Sequence, residues 1–224
     1  MLLLHGSYGA ALPKIILTSF ISVKDFNLTQ LSLKQIDGII FDLDGTLVDS
    51  SLDFKWLRQQ VGCPLGTDML KFIDAISDEK QRQQATDLVL AHEMSDASRS
   101  RWLPGAQQLI EQLHQHNIAQ AIVTRNSVAA TALKISNNAI PIDTVITREN
   151  YRPKPAPDAL LAIAQQWGIA PNRLMYVGDF LYDVQAGNNA GMVSCLITHG
   201  NEHDYSHQAD HVFTQLDELI KALF

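Results

Sequence analysis

The stretch IIFDLDGTLVDS, residues 39–50, ends an apolar run in two carboxylates one residue apart, Asp42 and Asp44, followed by Gly45 and Thr46. Taking an unpaired carboxylate out of water costs several kcal/mol, so acids at the end of a buried strand need a cation, a hydrogen-bond network or a chemical task. Gly45 permits a tight turn whose backbone N–H groups could surround an anion. Taken alone, the pair also fits an ordinary Asx-rich turn.

Outward from this stretch, short apolar runs alternate with longer helical patterns. GIIFD (38–42), AQAIVT (119–124), DTVIT (143–147), RLMYVGD (173–179), VSCLIT (193–198) and a weaker HVF (211–213) predict strands. Helical spacing covers 105–116, 127–137, 157–167, 182–190 and 215–223. This alternation predicts an α/β fold, a Rossmann-like three-layer core with a mostly parallel sheet and active sites at the carboxyl ends of its strands. The interval 51–99 contains no strand pattern. SLDFKWLRQQVG, LGTDMLKFIDAI and DEKQRQQATDLVLAHEMSD read as helices, with Leu52, Trp56, Leu65, Met69, Phe72, Leu88 and Leu90 as buried positions. The expected organisation is an N-terminal extension (1–35), a catalytic core (36–49 and 101–224) and a small α-helical cap (50–100) inserted after the first strand.

A formal charge of −7 offers no general field for nucleic acid or an anionic membrane, although local cations could still hold a small anion. Two cysteines, Cys63 and Cys195, make neither a disulfide framework nor a metal knuckle, so a reducing compartment, the cytoplasm, is expected. The first residues, MLLLHGSYGAALPKIILTSFISVKDF, are broken by His5, Gly6, Gly9, Pro13 and Lys14. They lack the basic start of a signal peptide and the unbroken apolar length of a membrane span.

Three further strand ends carry polar chemistry. In VTRN, Thr124 and Asn126 either cap the next helix or, with the helix N-terminus, face a phosphate, and Arg125 faces substrate or solvent. In YRPKPAPD, Pro153, Pro155 and Pro157 stiffen the chain around Lys154, a cation suited to phosphate or to an aspartate nucleophile. Asp158 reads as a helix cap whose side chain could also orient Lys154. In VGDFLYD, Asp179 and Asp183 approach one cleft if a helix starts between them. Four acids at two strand ends suggest a hard cation such as magnesium, which prefers oxygen ligands and retained waters. With Thr124 and Lys154 to hold non-bridging oxygens, the parts suit phosphoryl transfer.

DLDGT, VTRN, RPKPAPD and GDFLYD, in this order, resemble the haloacid dehalogenase-like (HAD) superfamily of hydrolases over residues 36–224, specifically its phosphatase branch with an inserted helical cap. The resemblance implies Asp42 as nucleophile, forming an aspartyl-phosphate, and Asp44 as acid and then base. It implies a magnesium site from the side chains of Asp42 and Asp179 and the backbone carbonyl of Asp44, with Asp183 supporting the metal or its waters. Lys154 joins the catalytic set, and Thr124, Arg125, Asn126 and Lys154 bind the substrate phosphate. A small-molecule phosphate ester is the implied partner, with phosphoglycolate favoured by the shortness of the cap. A sugar-phosphate mutase and a catalytically silent protein-binding module use the same scaffold. Ser50, Ser51, Asp53, Lys55 and Arg58 are candidate rim residues.

The remaining polar clusters read as structural. His199, His203, His207 and His211 are each four apart, but Gly200, Asn201 and the strand-like HVF argue against one metal-binding helix face. His114 and His116 fit the end of a surface helix. Cys195 reads as core and Cys63 as partly exposed.

Overall fold

The computed structural model describes residues 35–224. All but the last residue of the expected N-terminal extension lies outside them. Six strands, β1 (Gly38–Phe41), β2 (Ala119–Val123), β3 (Thr144–Ile146), β4 (Leu174–Gly178), β5 (Val193–Ile197) and β6 (His211–Phe213), form one sheet in the order β3-β2-β1-β4-β5-β6, with every pairing parallel. The helices are α1 (Phe54–Val61), α2 (Met69–Asp74), α3 (Glu79–Ala97), α4 (Ala106–Gln115), α5 (Val128–Asn138), α6 (Asp158–Trp167), α7 (Leu181–Ala190) and α8 (Leu216–Leu223).

Parallel sheets need both faces covered, and β1 shows how its residues serve both. Ile39 and Phe41 pack on one face with Leu109 and Leu113 of α4 and Leu219 of α8. Ile40 packs on the other with Leu160 and Ile163 of α6 and Ala186 of α7. The chain runs outward from β1 through β2 to β3, then returns to the other side of β1 at β4. The carboxyl ends of β1, β2 and β4 therefore flank the crevice where strand order reverses, the usual binding position in such sheets.

The inserted helices α1, α2 and α3 follow the first strand. Each starts on an aspartate that accepts from the first turn: Asp53 from Trp56 N at 2.8 Å, Asp68 from Leu70 N at 3.0 Å, and Asp78 from Gln81 N at 2.8 Å. They enclose a small cluster of their own, built from Leu57, Cys63, Met69, Ile73, Ala85 and Val89. Three expectations fail here. Leu65 is 89% exposed, on the turn between α1 and α2, and Trp56 is an exposed residue stacked on His92 with ring centres 5.3 Å apart. The buried side of α1 passes through Leu57, so Trp56, one residue earlier, is rotated off it. Cys63 is buried, its sulfur 3.3 Å from Arg58 Nη1. The tail histidines share no helix: Ser206–Gln208 is a 3-10 turn and His211 begins β6.

Candidate active site

Asp42 follows β1 directly, and its N–H donates to Val177 O at 2.8 Å, so the sheet ladder fixes where its side chain starts. The chain then turns back, with Leu47 N and Val48 N bonded to Leu43 O at 2.9 and 3.0 Å. Gly45 sits in that turn at φ +71°, where a Cβ would lie 2.3 Å from Asp179 Oδ2. Only glycine gives both the left-handed backbone and the room for Asp179 to come this close. Gly178, at the end of β4, plays a matching part, since a Cβ there would meet Asp183 Cβ at 2.3 Å.

Asp42, Asp179 and Asp183 thereby converge, with one carboxylate oxygen of each within 4.8 Å of the others. Lys154 lies among them, 4% exposed, its Nζ 2.7 Å from Asp42 Oδ1 and 2.6 Å from Asp183 Oδ1. Asp183 is fixed in turn by Phe180 N at 3.0 Å and by the buried Tyr176 hydroxyl at 3.2 Å. Asp158 does not orient the lysine. It is the first residue of α6 and pairs with Arg152 at 2.7 Å, because the lysine side chain is buried toward Asp42 and Asp183 instead.

Asp44 occupies a different environment. Its carboxylate accepts from Asn126 Nδ2 at 2.6 Å and from Lys134 Nζ, a fully buried ammonium that also meets Asp96 Oδ2 at 2.6 Å. Asp96, on α3, accepts from Ser51 N at 2.6 Å and from the Ser50 hydroxyl at 3.2 Å. Lys134 and Asp96 are absent from the sequence-based set. A signal existed, since Ala130, Lys134 and Asn138 repeat every four residues on the buried stripe of α5.

Burial shapes the electrostatics. It lifts Asp42 to about 7 against the pull of Lys154, and together with Asp183 and Asp42 it lifts Asp179 to about 8. Burial also raises Asp44, although Lys134 and Asn126 oppose it. Burial alone would lower Lys154, but Asp183 and Asp42 outweigh it and hold the ammonium charged. Among the described residues, Asp42, Asp44 and Asp183 pair with only two ammonium groups, Lys154 and Lys134, and Asp179 stands beside them, leaving an excess of negative charge that a divalent cation would offset. The all-oxygen donor set of the triad fits a hard divalent metal.

Thr124 lies just beyond β2, 4% exposed on the cleft wall, its hydroxyl accepting from Asn126 N at 3.1 Å. Neither residue caps α5. Ser127 does, accepting from Ala130 N. Arg125 lines the cleft, its guanidinium held in a bidentate pair with Asp68 at 2.8 and 2.9 Å and donating to the Lys154 carbonyl. Of the rim candidates, Ser50 and Arg58 line the cleft, whereas Ser51 bonds Asp96 and Asp53 caps α1. His199 Nε2 lies 2.6 Å from Gly45 O, bracing the turn from beyond β5.

A parallel α/β core, an acidic triad at its switch point and helices inserted after the first strand define a hydrolase class. The family model for haloacid dehalogenase-like hydrolases matches residues 52–197, and the chain belongs to that family. It is 32% identical over 189 residues to a haloacid dehalogenase-like hydrolase domain-containing protein of Arabidopsis thaliana, covering 79% of this chain and 76% of that one. It is 28% identical over 217 residues to the phosphoglycolate phosphatase of Nitrosococcus oceani, covering 85% and 95%. A solved hydrolase from Pseudomonas syringae shares the fold, with a TM-score of 0.69 at 23% identity over 84% of this chain and 97% of that one. Among the described residues, no helix is long and apolar enough to cross a membrane.

Proposed function

We propose that the chain is a magnesium-dependent phosphatase of small-molecule phosphate monoesters, working in the cytoplasm, with residues 36–49 and 101–224 as catalytic core and 50–100 as cap. The observation that carries this reading is the contrast between two neighbouring carboxylates. Asp42 sits with Lys154 in the acidic triad, while Asp44 is held apart by Asn126 and Lys134. Two carboxylates in two environments suit two roles, nucleophile and acid–base. The phosphatase name of a relative at 28% identity supports the same chemistry.

Asp42 attacks phosphorus as the bond to the leaving oxygen breaks, giving an aspartyl-phosphate, and Asp44 donates its proton to the departing alkoxide. Asp44 then takes a proton from water, whose oxygen attacks phosphorus, releasing phosphate and restoring Asp42. Lys154 and Thr124 hold the non-bridging oxygens, and Asn126 keeps the Asp44 carboxylate aimed. The side chains of Asp42 and Asp179 and the Asp44 carbonyl, with Asp183 behind, would hold magnesium, which would supply positive charge to offset repulsion between an anionic nucleophile and an anionic phosphoryl group.

Phosphate release from a panel of monoesters, with magnesium and with chelator, tests this reading. Wild type is expected to turn over with magnesium only, and Asp42→Asn is expected to fall to the uncatalysed background. Equal release by both proteins would sink the nucleophile assignment.

A further inference from the structure

The cleft above Asp42 is about 520 Å³, within the range of roughly 300–1,000 Å³ typical of small-molecule sites. Its floor is the phosphoryl end just described. Its other wall comes from the inserted helices and the segment leading into them, where Leu52, Leu57, Met69, Leu70 and Val89 line it. In a phosphatase, the reading on which this inference rests, that wall meets the leaving group.

The charged groups around that wall are each engaged by other groups of the protein. Arg125, one residue beyond the phosphate-binding Thr124, is the cation best placed to receive an acidic leaving group. Its guanidinium is already gripped by both oxygens of Asp68 at 2.8 and 2.9 Å, donates to the Lys154 carbonyl and stacks over Tyr182 at 4.8 Å from the ring centre. Asp68 is set by its own task as the cap of α2; partial burial would raise its carboxyl, but Arg125 holds it below the usual range. Glu93, also on the lining, pairs with Arg148 and accepts from Ser127 N at 3.2 Å. Arg58 gives Nη1 to the carbonyls of Thr67 at 2.6 Å and Pro64 at 3.1 Å. Lys154 belongs to the phosphoryl end.

We propose that the leaving-group end of this cleft takes an uncharged alcohol with substantial apolar surface, and that the Asp68–Arg125 pair selects against carboxylate-bearing alcohols such as glycolate. A carboxylate placed there sits beside Asp68 and Glu93 or has to displace Asp68 from Arg125. Either arrangement sets like charges together in a partly desolvated space. Apolar carbon against Leu52, Leu57 and Met69 meets no such opposition and leaves water. Phosphoglycolate, the substrate that cap length favours, is thus the one this pairing disfavours.

The test compares kcat/KM for benzyl phosphate and 2-phosphoglycolate, with magnesium, in wild type and in Asp68→Asn. Asparagine keeps the helix cap and removes the charge. Wild type is expected to favour benzyl phosphate by about tenfold or more, and Asp68→Asn to move the ratio toward phosphoglycolate by a similar factor. Asp68→Asn combined with Arg125→Leu is expected to lose that gain, since the freed cation is gone. A wild-type preference for phosphoglycolate, or a ratio unmoved by Asp68→Asn, overturns the proposal while leaving the phosphatase reading standing. No release from either ester or from p-nitrophenyl phosphate overturns both. If the variant fails to fold, the wild-type ratio alone decides.

Discussion

Around the strand ends and on the helices that follow them, charged side chains lie deep inside the protein. Lys134 is completely buried, and Lys154 and Asp183 are nearly so, each held by two or more partners on different elements. Among the inserted helices charge is also buried, at Glu93 and Asp96, but it is turned toward the body of the fold. Their shared core is six buried side chains, and their charged groups that matter reach outward: Asp68 to Arg125, Glu93 to Arg148 and Asp96 to Lys134. In all three pairs the acid comes from the inserted region and the base from the body of the fold. The floor is rigid because buried charges have no other place to go. The roof is attached by polar contacts at its edge, an arrangement that leaves its apolar inner wall free for substrate.

After loss of the nucleophile, the largest expected effect breaks the floor at Asp44. Asp44→Asn removes the proposed proton donor, so kcat for alkyl phosphates is expected to fall about 10²–10⁴-fold. With p-nitrophenyl phosphate, whose leaving group needs little protonation, the loss should be much smaller. Equal losses on both esters would remove Asp44 from the acid role. Next comes Lys134→Met, which leaves the buried Asp96 and the partly buried Asp44 without their cation. Breaking such a pair from one side costs about 3–5 kcal/mol, measurable as a lower urea midpoint. A change under about 1 kcal/mol would mean that the Lys134 cluster is not what holds roof to floor.

The floor was more legible in the sequence than the roof. The strands are short apolar runs buried on both faces, so their positions can be read from composition, and each acid at their ends stands out against it. Gly45 and Gly178 each adjoin an acid in the sequence, although the acids they make room for are Asp179 and Asp183. What stayed hidden is pairing across the fold. Asp68 and Arg125 are separated by 57 residues, and Asp44 and Lys134 by 90. Periodicity reports which side of a helix turns inward and is silent on what waits there. It also misplaced Leu65, since an apolar residue on a short turn follows the backbone's path and not a helical stripe.

A smaller effect separates cation from proton at the floor. Asp42, lifted to about 7 by burial, and Asp179, lifted to about 8 by burial, Asp183 and Asp42, both sit above the unfolded value of 3.8. Without a cation the folded chain therefore keeps protons that the unfolded chain releases. The stability these groups contribute is complete below about pH 4 and is lost as pH rises through about 7 to 8. The proposed magnesium would bind the deprotonated form, so the rise in Tm on adding it should be larger at pH 8.5 than at pH 6. A rise of the same size at both values would mean that the cation does not compete with these protons.

The smallest effect belongs to the roof's outer surface. Leu65→Ser is expected to shift stability by no more than about 0.5 kcal/mol and to leave kcat/KM unchanged, since the side chain is exposed and lines no part of the cleft. Set against Lys134→Met, it measures how unequally the two regions carry the fold. If Leu65→Ser slowed turnover while leaving the urea midpoint in place, the turn between α1 and α2 would be part of the substrate wall, and the division between inner and outer roof would need redrawing.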